Sequence, residues 1–169
     1  DMKQAPITAK NFMKLVEDGF YDGLIFHRII EGFMIQGGGF DTDYNQKEAE
    51  TIKGEFEENG VKNDMEHTRG VLSMARTQVM DSASSQFFIV QEDSLYLDGA
   101  YPVFGYVSDG MYIVDRICSA AIPVDQNGNL SDNEQPVITS IVIRESADET
   151  PFKTIQTVFT SPIWTTSRF

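Results

Sequence analysis

A single guanidinium set in an apolar run is the first feature of this sequence with chemistry in it. Arg28 stands in Phe26-His27-Arg28-Ile29-Ile30, a Glu31-Gly32 turn follows, and Phe33-Met34-Ile35-Gln36 brings large apolar side chains and one carboxamide close behind. A guanidinium offers only N–H donors and stays charged at physiological pH, so its chemistry is hydrogen-bond donation rather than proton abstraction or covalent attack. Two later stretches hold similar material. One is Leu72-Ser73-Met74-Ala75-Arg76, with Ser85-Gln86-Phe87-Phe88-Ile89 a short loop further on; the other is Tyr96-Leu97-Asp98-Gly99, followed by Val103-Phe104-Gly105. Taken alone, Arg28 reads as a surface ion-pair residue. Phe33, Met34, Phe88 and Leu97 read as core, where large apolar residues usually sit.

Other chemistries find weaker support. His27 lies in a strand-like run, and alternation puts it on the face opposite Arg28, so it reads as a hydrogen-bonded structural histidine. His67 falls in a polar loop and carries no evident role. Cys118 is the sole cysteine, which excludes an internal disulfide and a Cys-based zinc site; its apolar neighbours make it a buried, inert thiol. Gly37-Gly38-Gly39 lacks the Lys-Ser/Thr of a phosphate loop and reads as a backbone turn with positive φ angles. The loop Asp125-Gln126-Asn127-Gly128-Asn129-Leu130-Ser131-Asp132 has oxygen ligands at alternating positions. An EF-hand needs Gly sixth and Glu twelfth; here Gly128 comes fourth and Pro136 twelfth, so this is a solvated turn. Glu48, Glu50, Glu55, Glu57 and Glu58 read as a soluble acidic face. No cofactor and no metal are expected.

The elements that must position these residues are mostly short strands. Ala9, Phe12, Leu15 and Val16 share one face of a helix over residues 9–18, with Thr8 as N-cap and Gly19 as the stop. Strands are expected at 24–30, 33–36, 71–75, 86–91, 103–107 and 138–144. A second helix is expected to start from Asp109, with Met111, Val114, Ile117 and Cys118 inward. Residues 41–68 read as a long polar surface loop. The chain of 169 residues is read as one domain over 1–145 and a C-terminal extension over 146–169, in which 152–169 favours a strand or another ordered segment. The class is mainly β, a barrel or sandwich with two helices. The formal net charge of −13 disfavours nucleic acid and anionic membrane surfaces as partners. No stretch is long and apolar enough for a transmembrane helix. A cytoplasmic location is expected, with a targeting segment removed ahead of Asp1 left open.

The three blocks, in order and at their spacing, resemble the signature segments of the cyclophilins, nearest to the bacterial-type subgroup, over about residues 5–145. The resemblance implies a closed β-barrel with two helices and a peptidyl-prolyl cis–trans isomerase needing no cofactor. It implies Arg28 as the catalytic arginine and Gln36 as the glutamine that hydrogen-bonds the substrate backbone or orients Arg28. It assigns Phe33, Met34, Phe88 and Leu97 to the pocket for the proline ring, with Phe33 counted beside Arg28 and Gln36 among the catalytic residues. Ala75, Arg76 and Gln86 match positions along the peptide backbone and the residues before proline. Tyr96 falls where many eukaryotic relatives have tryptophan, and Tyr101 where they have histidine. The implied partners are proline-containing peptides and unfolded protein segments, together with a cyclosporin-type ligand of weakened affinity, since the missing indole is a drug contact in the family.

The physics suits these residue types. Amide resonance sets a rotation barrier of roughly 18–20 kcal/mol, and uncatalysed X-Pro isomerisation takes about tens to hundreds of seconds. At the twisted transition state the imide nitrogen regains its lone pair. A guanidinium donates to that nitrogen only then, which is differential binding of the transition state.

The resemblance also implies two antiparallel strands ahead of the first helix, and residues 1–6 are too short to supply them. Three explanations stand: a chain lacking its natural start, which is the preferred one; the segment 152–169 covering or replacing the strands; or a strand donated by a neighbouring subunit. The alternative function, which an incompletely organised pocket would favour, is a non-catalytic proline-peptide binding module or a chaperone.

Overall fold

The structure, a computed structural model, describes residues 1–131, 134–145 and 153–160. Along the chain run α1 (Pro6–Glu17), β1 (Phe26–Ile30), β2 (Met34–Gly37), the 3-10 turn η1 (Glu57–Asn59), β3 (Val71–Met74), β4 (Phe87–Val90), the 3-10 turn η2 (Leu95–Leu97), β5 (Val103–Tyr106), α2 (Met111–Ala120), β6 (Val137–Glu145) and β7 (Lys153–Thr160). Five strands form an antiparallel sheet in the order β1-β2-β4-β3-β5, and β6 pairs with β7. The two sheets are stitched where β6 begins: Phe26 N–H donates to Pro136 O, Ile138 N–H to Leu24 O and Gly23 N–H to Ile138 O.

The expected mainly β architecture with two helices is present. The closure is not: hydrogen bonding leaves β5 at one edge and β7 at the other. Among the described residues no strand lies between them. Helix α1 packs against β5 and β6. The strand expected within 152–169 is β7, antiparallel to β6 from Val137↔Thr160 to Glu145↔Lys153. Residue 152, residues 161–169 and the polar break at 146–150 lie outside the described residues.

Helix α1 buries Ala9, Phe12, Leu15 and Val16, the face its 3.6-residue spacing dictates. Phe12 meets Tyr21, Phe87 and Phe104 with ring centroids 5.1 Å away in each case. Its stop is a Schellman motif: Gly19, at φ +64°, donates to Val16 O, and Phe20 N–H to Leu15 O. Its start differs from expectation. The helix begins at Pro6, whose fixed φ and missing N–H suit the first turn, and Thr8 lies inside it. The free amides of that turn are met from a distance. Glu55 accepts from Ile7 N–H at 3.0 Å, from Thr8 N–H at 2.7 Å and from Thr8 Oγ1 at 2.8 Å. Glu55 is 3% exposed, so it is a buried helix cap rather than part of an acidic surface. The loop 41–68 also buries Phe56 and His67 completely and is no mere surface loop. Helix α2 likewise starts without a side-chain cap. Gly110 at φ +94° takes the position expected of Asp109, and Val114, Ile117 and Cys118 are buried as expected.

Glu55→Ala leaves three donors without their acceptor and is expected to lower unfolding free energy by about 2–4 kcal/mol. Urea denaturation of variant and wild type at pH 7 measures it.

Candidate active site

The sheet carries a different cluster on each face. Phe26, Ile29, Ile35, Met74, Phe87 and Ile89 join the main core with the helices. On the other face Met34, Val71, Phe88, Val90 and Val103 form a second cluster, against which Ile30, Phe33, Met65, Ala75, Leu97 and Tyr101 pack partly buried. Strand β4 is buried at all four positions because both its faces are covered.

Register sets one row of side chains that includes Arg28 and Gln36. Arg28 lies opposite Gln36, Gln36 opposite Phe88, and Phe88 opposite Ser73. Residues directly opposite share a face, so these four line up across β1, β2, β4 and β3. A bulge between Phe26 and Arg28 makes this possible: Phe26 and Ile29 both enter the main core while Arg28 between them reaches the other side. The bulge brings backbones close. A Cβ on Gly37 would stand 2.6 Å from Ile25 O, so glycine is required there by space rather than by φ. Of the three glycines expected to share positive φ, only Gly38 has it; Gly39 is instead crowded by the Gln86 side chain.

The guanidinium of Arg28 is held on two sides. Its Nε donates to Asn127 O at 2.7 Å and its Nη1 to Gln36 Oε1 at 3.1 Å. Gln36 Nε2 donates in turn to Gln86 Oε1 at 3.1 Å. Arg28, Gln36 and Gln86 thus form one polar line along the rim of the apolar cluster. The Asn127 carbonyl is placed by its own turn. Asp125 accepts from the N–H groups of Asn127 and Asn129 and from Asn129 Nδ2. Gly128 then passes so close to β1 that a Cβ would lie 2.5 Å from Ile29 O. The loop read from sequence as a solvated turn is therefore the clamp on Arg28. Nothing in its composition announced this, because the contact is made by a carbonyl.

The other expected site residues fall around the same cluster. Phe33, Met34, Ala75, Phe88, Leu97 and Tyr101 all belong to it. Met34 and Phe88 are buried at 1% and 5% exposure and serve as its floor. Tyr96 is exposed and reaches the group through its ring contact with Phe33, centroids 5.8 Å apart. Arg76 is differently engaged. Its Nε donates to Ala100 O at 2.8 Å and its Nη1 to Thr77 O at 2.9 Å, and its guanidinium sits between the rings of Phe56 (4.7 Å) and Tyr101 (4.9 Å). In this arrangement it braces the loop that carries Tyr101.

The remaining titratable candidates stand apart from chemistry. Burial pushes the Cys118 thiol up to about 12, which leaves no thiolate at neutral pH. Burial, and secondarily the Arg28 charge, push His27 down to about 4. The hydrogen bond expected of His27 is absent at Nδ1, which has no partner; the ring packs edge-on against Phe40. His67 is the residue that sequence reasoning passed over: it lies fully buried beneath the cluster.

A family model described as "Cyclophilin type peptidyl-prolyl cis-trans isomerase/CLD" matches residues 1–146. The chain belongs to the cyclophilin family of peptidyl-prolyl cis–trans isomerases. It is 47% identical over 122 residues to peptidyl-prolyl cis-trans isomerase A of Dickeya dadantii, covering 69% of this chain and 62% of that protein. It is 45% identical over 153 residues to peptidyl-prolyl cis-trans isomerase B of Escherichia coli, covering 84% and 89%. Among solved structures it resembles a Cryptosporidium parvum cyclophilin type peptidyl-prolyl cis-trans isomerase crystallised in the presence of the dipeptide Ala-Pro. The TM-score is 0.71 at 30% identity, over 86% of this chain and 89% of the other. The bacterial affinity read from the three sequence blocks agrees with these relatives, and β7 lies beyond the stretch matched to the cyclophilin family.

The His27 shift has a thermodynamic consequence. Its folded-state value lies below the ordinary 6.5, so the unfolded chain binds the proton more readily. The stability involved is complete above pH 6.5 and is lost as pH falls towards about 4, by roughly 3 kcal/mol. Urea midpoints between pH 7 and 4 are expected to fall less steeply in His27→Phe than in wild type. The slope that remains includes His67, which burial also lowers.

Proposed function

We propose that this cyclophilin rotates X-Pro bonds by seating the proline ring in the cluster of Phe33, Met34, Phe88 and Leu97 and donating from Arg28 to the imide nitrogen. The observation that carries the reading is the two-sided clamp on Arg28. With Nε bound to the Asn127 carbonyl and Nη1 bound to Gln36, the guanidinium is fixed beside an apolar floor before any substrate arrives. Preorganised donors are most effective where charge or a lone pair develops during reaction. In the planar ground state the imide lone pair is delocalised and accepts weakly, and in the twisted state it accepts well. Arg28 therefore binds the twisted state better, and no bond to the substrate is made or broken.

Gln36 has two roles in this proposal. It orients Arg28 through Oε1 and leaves its position on the sheet face open to a substrate carbonyl. Because a guanidinium only donates, the Gln36 oxygen faces Arg28, and the Gln36 Nε2 is left to donate to Gln86 Oε1. The substrates are extended, proline-containing segments of unfolded chains, which a surface site on the outer face of a sheet admits without an enclosing lid. Exposed Tyr96 would border the bound peptide, and it offers a cyclosporin-type ligand less ring surface than an indole.

The test is the cis-to-trans rate of a short Ala-Pro peptide. Wild type is expected to accelerate it strongly, and Arg28→Ala to lose about 100-fold or more in kcat/KM. The rate is expected to stay flat between about pH 7 and 9, because the mechanism has no general base and arginine stays protonated. Activity surviving Arg28→Ala would instead support a different donor, and binding without turnover would support a binding module. Tyr96→Trp is expected to tighten binding of cyclosporin, measured by titration.

A further inference from the structure

His67 joins three parts of the proline pocket through one buried residue. Its ring lies parallel to Phe88, centroids 6.0 Å apart at 14°, and edge-on to Tyr101 at 6.5 Å and 83°. Its Nδ1 lies 2.7 Å from Asp98 Oδ1 and its Nε2 lies 3.0 Å from Ser73 Oγ. Its backbone is engaged at both ends as well: the N–H donates to the same Asp98 Oδ1 at 2.7 Å, and the carbonyl accepts from Ser94 N–H at 2.8 Å. Ser94 and Asp98 are the residues that flank η2, the single 3-10 turn bearing Tyr96 and Leu97. The N-cap Ser94 makes no side-chain capping hydrogen bond, and the C-cap Asp98 is tied to the turn by its backbone N–H to Leu95 O. One histidine thus fixes both ends of the turn that forms the pocket wall and backs the ring that forms its floor.

Resting on the reading that this cluster seats proline, we infer that His67 is a positioning residue for the pocket. It sets the distance between the Leu97 wall and the Phe88 floor through its bond to Asp98. Chemistry fixes the tautomer. A carboxylate accepts, so Nδ1 donates to Asp98; in the neutral ring Nε2 then accepts from the Ser73 hydroxyl, whose single proton turns to it at 3.0 Å rather than to Pro102 O at 3.2 Å. Burial holds the ring below its ordinary range against the raising effect of Asp98, which agrees with a neutral imidazole. The ring touches no reacting atom. It acts through Phe88 and η2, so its loss should appear in substrate binding and leave the step assigned to Arg28 largely intact.

The test compares wild type, His67→Phe and His67→Asn, with kcat, KM and peptide affinity measured separately for an Ala-Pro peptide and folding checked by circular dichroism. His67→Phe keeps an aromatic ring behind Phe88 and removes both side-chain hydrogen bonds. It is expected to raise KM and the dissociation constant about tenfold while kcat falls much less. His67→Asn can still donate to Asp98 and is expected to recover part of that affinity. A folded His67→Phe with unchanged KM and affinity overturns the proposal, as does a loss confined to kcat. Should His67→Phe not fold, nitrogen-15 spectra of wild-type histidine decide. A protonated Nδ1 and bare Nε2 whose signals move on peptide addition support the assignment; the opposite tautomer, or signals indifferent to the peptide, overturns it. Wild type that binds the peptide without turnover refutes the isomerase mechanism alone, and the affinity comparison still tests His67. Wild type that does not bind refutes both.

Discussion

The guanidinium of Arg28 has little freedom left. Asn127 O takes one N–H and Gln36 Oε1 takes another. An unrestrained arginine would lose rotamer freedom each time it met a transition state, and that cost would subtract from catalysis. Here the ordering is done on folding. The β1–β2 register puts Gln36 opposite Arg28, the bulge after Phe26 turns Arg28 out of the main core, and Gly37 lets the two backbones approach. The Asp125–Asn129 turn supplies the second point of the clamp.

The rest of the fold serves this arrangement by giving one sheet two apolar faces. The inner face binds α1 and α2 through Phe12, Ile29, Phe87 and Ile117 and holds the sheet rigid. The outer face carries the buried Met34 and Phe88, with Phe33, Leu97 and Tyr101 packed partly buried against them. Burial of such side chains contributes about 1.5–3 kcal/mol each. Polar residues close the gaps between elements: buried Glu55 for the start of α1, buried His67 for η2, and the partly buried Arg76 between the Phe56 and Tyr101 rings for the loop beyond it.

Much of this was legible from residues alone. The helical face of α1 and its Gly19 stop follow from spacing and from one glycine, and the strands at 71–74, 87–90 and 103–106 from short runs of β-formers. The likeness of three blocks to the cyclophilins brought Arg28, Gln36, Phe33, Met34, Phe88 and Leu97 to notice, and the structure gathers them. What escaped were long-range polar partners. Glu55 looked like one acidic residue among five, and His67 like a loop residue, because nothing local shows that a carboxylate will meet a helix start 47 residues away. The Asn127 carbonyl carries no side-chain signal at all. The closed barrel expected from the likeness is not closed by hydrogen bonds, since β5 and β7 remain edges.

The central claim is that Arg28 acts on the twisted bond by orientation as well as charge. The most direct measurement is magnetisation exchange between cis and trans forms of a saturating Ala-Pro peptide on the enzyme, comparing wild type with Arg28→Lys and reading affinity in the same titration. Lysine keeps the charge and loses the planar fork that Asn127 and Gln36 hold. The account predicts an on-enzyme exchange rate lowered by about 10-fold or more with affinity nearly unchanged. An Arg28→Lys enzyme that exchanges as fast as wild type, or one that fails only because it no longer binds the peptide, would contradict it.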